Sequence, residues 1–82
     1  MKAEIPAELR ILRIKEVQLR VGFGRSTIYE LVNPRSRRFD PEFPTPIRLG
    51  QASVGWLESE VNRWIQLRVE ARDIAVGHSV GH

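Results

Sequence analysis

The chain has 82 residues, no cysteine and a formal net charge of +3. That length supports one domain and leaves too little interior to enclose a large ligand cavity beside a core, which argues against a buried active site. With no cysteine there are no disulfides or thiolate zinc ligands, and no run approaches the roughly 18 apolar residues of a membrane span or the order of a signal peptide, so a soluble, cytoplasmic protein is expected.

In chain order, residues 1–9 carry mixed charge without a period and are expected to be a flexible N-terminal segment. Arg10-Ile11-Leu12-Arg13-Ile14 alternates briefly, as a short edge strand does. A first helix is predicted over about residues 15–20, with Val17 and Val21 facing inward and Glu16 near the positive end of the dipole. Gly22 is placed to take the left-handed conformation that stops it.

Residues 22–33 are the most informative stretch. Phe23 is expected to insert between two helices, and Gly24 to serve as a modest N-cap for the second. Ile28, Leu31 and Val32 recur at i, i+3 and i+4 and so share the side that faces a core. Arg25, Ser26, Tyr29, Glu30 and Asn33 are left on the other side. A glycine-bounded turn followed by such a helix reads as the turn and second helix of a helix-turn-helix, and arginine and hydroxyls in its first turn are the chemistry that meets base edges and phosphates in a major groove.

Pro34 ends that helix, and four prolines within residues 34–46 make the next segment a stiff loop. Ile47-Arg48-Leu49 and Val54-Gly55-Trp56, joined by Gly50-Gln51-Ala52-Ser53, read as a small β-hairpin. A last helix is predicted over about residues 57–73, with Leu57, Val61, Trp64 and Ile65 at i, i+4, i+7 and i+8, and with Ser59 capping its regular part if Leu57 and Glu58 are still extended. Residues 74–82 are expected to form a disordered tail, leaving residues 10–73 as the folded domain. Apolar residues to fill its core run from Ile14 through Phe23, Ile47 and Leu49 to Ile65.

Charge is uneven. Residues 10–48 hold nine bases against four acids, whereas three bases meet four acids from Leu49 onward. The positive field therefore surrounds the predicted recognition helix, as a polyanion-binding surface requires.

Four blocks carry a family resemblance: Leu12-Arg13-Ile14-Lys15-Glu16-Val17; Gly22-Phe23-Gly24-Arg25-Ser26-Thr27-Ile28-Tyr29; Phe39-Asp40-Pro41-Glu42-Phe43-Pro44-Thr45-Pro46-Ile47-Arg48-Leu49-Gly50; and Val54-Gly55-Trp56-Leu57-Glu58-Ser59-Glu60-Val61 with Trp64. In this order they resemble the AlpA family of phage and prophage regulators, small winged-helix proteins related to excisionases and to the DNA-binding heads of MerR-type regulators. The resemblance spans about residues 10–68. It implies a mainly α winged helix-turn-helix with three helices and a β-hairpin wing, and sequence-specific binding of double-stranded DNA by the helix that starts at Arg25. Such proteins activate or repress prophage and genomic-island genes, or act as recombination directionality factors that help an integrase excise the element. A monomer in solution that assembles as further copies on repeated DNA sites is expected of this chain. Gly24 departs from the pattern, where the family often has a capping serine.

Each candidate contact has a plainer alternative. Arg25 suits a bidentate contact to guanine or a phosphate pair, against a merely solvated charge. Ser26 is the stronger hydroxyl candidate, since Thr27 leans toward the buried face and either can bond backbone instead. Tyr29 reaches a phosphate, sugar or thymine methyl, or else is a half-buried aromatic shielding the helix seam. Asn33 bonds a phosphate or simply ends the helix. Arg35, Arg37 and Arg38 are expected on phosphates flanking the groove, where contacts fix register without reading sequence. Arg48 and the wing-turn residues Gln51 and Ser53 touch the neighbouring backbone or minor groove, or the hairpin only covers the core; Arg13 and Lys15 are weaker candidates.

Trp56 and Trp64 fit an apolar period and read as core. His78 and His82, the only histidines, fall in the expected tail, so neither a metal nor a cofactor is expected. Nor is catalysis, since residues 10–73 hold no His or Cys and no convergent carboxylate pair is evident; Gly22-Phe23-Gly24 lacks the lysine and preceding buried strand of a phosphate loop. The alternative from another class is a protein-interaction module that binds a partner or a second copy through the last helix, using Leu67 and Val69.

Overall fold

The computed structural model describes residues 9–80. The elements run β1 (Ile11–Leu12), α1 (Ile14–Val21), α2 (Arg25–Leu31), β2 (Ile47–Arg48), β3 (Val54–Leu57) and α3 (Glu58–Val80). Three helices and a small antiparallel sheet form a mainly helical winged helix-turn-helix.

Local sequence accounts for each helix boundary in the first half. Arg13 is extended before α1, and Glu16 Oε1 accepts the Arg13 backbone N–H at 2.8 Å, which satisfies a donor at the helix start. Gly22 ends α1 at φ +80, the left-handed region open to glycine, and its N–H donates to Gln18 O at 2.8 Å. Gly24 stands at the N-cap of α2 with no side-chain cap. Val32 follows as its C-cap.

The sheet order is β1-β3-β2, with both pairings antiparallel. Ile47 faces Gly55 and Arg48 faces Val54 in the hairpin, and Leu49 N–H donates to Ser53 O at 2.8 Å to close the wing turn. On the other edge Ile11 faces Leu57 and Leu12 faces Trp56, a long-range pairing that brings the start of the domain against the strand leading into α3.

The core consists of Leu12, Val17, Ile28, Phe43, Trp56, Val61 and Trp64. Val17, Ile28 and Val61 are wholly buried, each a burial that contributes about 1.5–3 kcal/mol. The Trp56 indole N–H donates to Pro44 O at 3.1 Å, so its one polar atom is satisfied inside the core. Arg20 ties α1 to α3 by pairing with Glu58 and donating to Asn62 Oδ1 at 2.9 Å.

Several expectations need correction. Phe23 does not wedge between α1 and α2: it is 37% exposed and sits edge-on to Trp64 of α3, with centroids 6.2 Å apart. Ile47 and Leu49 also remain exposed, the first in a two-residue edge strand and the second at the start of the wing turn. Helix α3 starts at Glu58, ahead of Ser59, since Glu58 N–H donates to Arg10 O at 2.8 Å and strand passes directly into helix. It also runs to Val80, seven residues past the expected end at Asp73. Once a helix is nucleated on a packed first half, each added residue gains a hydrogen bond without a new nucleus, and no proline intervenes. Residues 70–75, at the start of and just before this extension, are exposed, Ile74 at 73%. The expected flexible start, residues 1–8, and the last two residues lie outside the described part.

Candidate nucleic-acid interface

Helix α2 is anchored by one edge and displayed by the other. Ile28 is wholly buried, and Leu31 and Val32 pack partly against the core. Arg25, Ser26 and Glu30 are exposed, whereas Thr27 and Tyr29 are half-buried. The Tyr29 ring lies 6.2 Å from that of Trp56, and the Arg25 guanidinium lies 5.9 Å from the Tyr29 ring centroid. Arg25 thus stands on an aromatic support that reaches down into the core. Tyr29 is half-buried, with its ring packed against the core.

The basic loop is stiffened by more than its prolines. Asn33 Oδ1 accepts the Arg35 N–H at 3.0 Å, Ser36 Oγ accepts the Arg38 N–H at 3.0 Å, and Asp40 Oδ1 accepts the Glu42 N–H at 2.9 Å. These are three successive side-chain turns of the same i to i+2 kind. Asn33 therefore serves chain reversal in this structure, with its carbonyl also accepting the Ser36 N–H at 2.9 Å. The loop is then fastened at its far end: Asp40 N–H donates to Leu31 O at 2.9 Å, and Asp40 Oδ2 accepts the Trp64 indole N–H at 2.9 Å.

Arg35 and Arg37 project from this loop, exposed and with no side-chain partner among the described residues. Arg38 returns to α2, where Nε lies 3.4 Å from Glu30 Oε1 with both side chains largely exposed. At the wing tip Arg48 Nη1 donates to Gln51 O at 3.3 Å, so these two candidates clasp each other, and no bond among the described residues joins them to α2. Arg13, the weaker candidate, is occupied with Val54 O at 3.0 Å, bracing the base of the wing.

Sequence reasoning missed Glu30 and Asp40 as participants. Nothing periodic links Glu30 to Arg38 across a loop, so that pair had no signal. Asp40 did carry one: an Asp directly before a proline is a turn initiator whose side chain bonds backbone two residues on.

Among the described residues no cluster of three or more His, Cys, Asp or Glu stands in position to hold a metal, and no helix is long and apolar enough to cross a membrane. The side chains of His78 and His82 lie outside the described residues.

Comparison with known proteins bears on this arrangement. The profile of the family described as "Prophage CP4-57 regulatory protein (AlpA)" matches residues 10–69. A protein of Escherichia coli (strain K12) named "DNA-binding transcriptional activator AlpA" is 45% identical over 60 residues, covering 73% of this chain and 86% of the relative. An "Uncharacterized protein ORF88" of Enterobacteria phage P4 is 43% identical over 63 residues, covering 77% of this chain and 65% of its own length. No solved structure matches. Because the family profile spans β1, α1, α2, the hairpin and the packed half of α3, the chain belongs to the AlpA family of prophage regulatory proteins.

Proposed function

We propose that the chain is a transcriptional regulator that binds duplex DNA sequence-specifically through α2. The observation that carries this reading is the two-edged placement of α2, with Ile28 wholly buried and Arg25 and Ser26 fully displayed at the helix start. A rigidly seated helix with its N-terminal polar residues outward is what major-groove readout requires. Arg25 and Ser26 meet base edges or phosphates, with Thr27 behind them. Arg35, Arg37 and Arg38 grip phosphates beside the groove, and Arg48 with Gln51 brings the wing to the adjacent backbone. Asn33 acts by shaping the loop. The E. coli relative, named as a DNA-binding transcriptional activator, supports the class.

Within this class the chain serves a prophage or genomic island, either switching transcription or bending an attachment region for excision by an integrase, with several copies on repeated sites. It works without a cofactor and without catalysis. Selecting bound sequences from randomised duplexes tests this: enrichment of a defined site is expected, and recovery of an unenriched pool contradicts it.

The exposed extension of α3, with Ile74 73% accessible, favours a second reading in which this helix binds a protein partner. A tight protein complex seen by size-exclusion chromatography, with no affinity for DNA, would support it over the first.

A further inference from the structure

We infer that Tyr29 is a positioning residue for Arg25, acting through its ring rather than its hydroxyl. The inference rests on the reading above that α2 meets DNA, and it adds how the arginine is aimed.

Three side chains form a column from core to surface. Trp56 at the base has no exposure and is held by its indole N–H on Pro44 O at 3.1 Å. The Tyr29 ring lies next, 6.2 Å from the Trp56 ring and tilted by 56°. The Arg25 guanidinium stands above, 5.9 Å from the Tyr29 centroid. Arg25 and Tyr29 are separated by four residues on one helix, so they share a face whatever the surrounding structure does. An arginine at an exposed helix start otherwise samples many rotamers, and a bidentate base contact needs only one orientation of its planar fork. A ring beneath the guanidinium restricts that search before DNA arrives, because the cation is attracted to the ring face. Among the described residues no acid pairs with this arginine: Glu30, the only carboxylate on α2, is paired with Arg38.

The hydroxyl adds nothing to such a role, which separates it from a direct phosphate contact. Tyr29→Phe keeps the ring and removes the hydroxyl, whereas Tyr29→Leu removes the ring. The experiment measures affinity for a selected duplex and for one altered at the base pair that Arg25→Ala ceases to distinguish. It is done for the native chain, Arg25→Ala, Tyr29→Phe, Tyr29→Leu and the Arg25→Ala/Tyr29→Leu double variant. Expected is unchanged discrimination in Tyr29→Phe, a loss of about two- to fivefold in Tyr29→Leu, and no further loss when Tyr29→Leu is added to Arg25→Ala.

A second readout needs no DNA. In the free protein the Arg25 Nε–H resonance should show a ring-current shift that persists in Tyr29→Phe, so the question stays answerable if Tyr29→Leu does not fold. Equal losses in Tyr29→Phe and Tyr29→Leu, the same loss from Tyr29→Leu with and without Arg25, or absence of the ring-current shift would overturn the inference alone. If Arg25→Ala alters neither affinity nor discrimination for any duplex, the DNA-reading role of α2 falls, and the inference with it.

Discussion

The Trp64 indole N–H donates to Asp40 Oδ2 at 2.9 Å, joining the last helix to the loop that follows α2. Asp40 N–H simultaneously holds Leu31 O, at the end of α2. One aspartate therefore couples α2, the basic loop and the core. Asp40→Ala leaves a nearly buried indole N–H without its partner and removes a loop turn, so stability should fall by about 1–3 kcal/mol, read as a lower urea midpoint. Stability equal to that of the native chain would show that the bond is dispensable.

Gly55 lies at the centre of the three-stranded sheet, opposite Ile47 and one residue before the Trp56 that faces Leu12. A Cβ there would stand 2.4 Å from Ile11 Cγ2, 3.1 Å from Leu12 O and 3.1 Å from Leu49 Cδ1. The first neighbour is a β-branched methyl with little freedom to withdraw, and the second is backbone. Gly55→Ala should thus cost about 1–3 kcal/mol through overpacking, with the urea slope unchanged. A neutral result would mean that β1 does not pack on β3 as described.

Glu30 is the one acid on α2, and Arg38 is engaged with it at 3.4 Å. To grip a phosphate Arg38 must leave this pair, which is exposed and therefore weak. Glu30→Ala should tighten binding to unrelated DNA by about two- to fivefold at low salt and steepen the salt dependence by at most about one unit of slope. Unchanged non-specific affinity would place Arg38 away from the DNA.

The parts legible in the sequence were those set by short-range chemistry. Gly22 and Pro34 marked the ends of α1 and α2, and the apolar spacing of Ile28, Leu31 and Val32 identified the buried edge of α2. The alternation around Gly50-Gln51-Ala52-Ser53 located the hairpin. What escaped depended on distant partners. The pairing of Leu12 with Trp56 joins residues far apart in the chain, and Phe23 found its contact on Trp64 rather than on its own neighbours. Within the candidate interface, side-chain type pointed to Arg38 and Arg48 but did not disclose that one is paired with Glu30 and the other clasps the wing turn. The far end of α3 was missed because its continuation depends on a helix already nucleated and packed upstream, while local composition alone reads as a tail.

Arg25 and Arg37 should differ in kind. Arg25 is fixed on the first turn of α2, above the Tyr29 ring, whereas Arg37 projects from the loop without a partner among the described residues. Arg25→Ala should narrow the ratio of specific to non-specific affinity, with about 1–3 kcal/mol of discrimination lost if the contact is a bidentate base pair. Arg37→Ala should weaken all duplexes about equally and reduce the salt slope by about one. Equal behaviour of the two variants would refute this division between reading and gripping.

The most direct test of DNA recognition by this surface is a binding titration of a selected duplex across a series of salt concentrations. Five to seven phosphate contacts from the arginines of α2, the loop and the wing predict log affinity falling against log salt with a slope of about −5 to −6. No binding at micromolar protein, or an affinity indifferent to salt, would contradict the account.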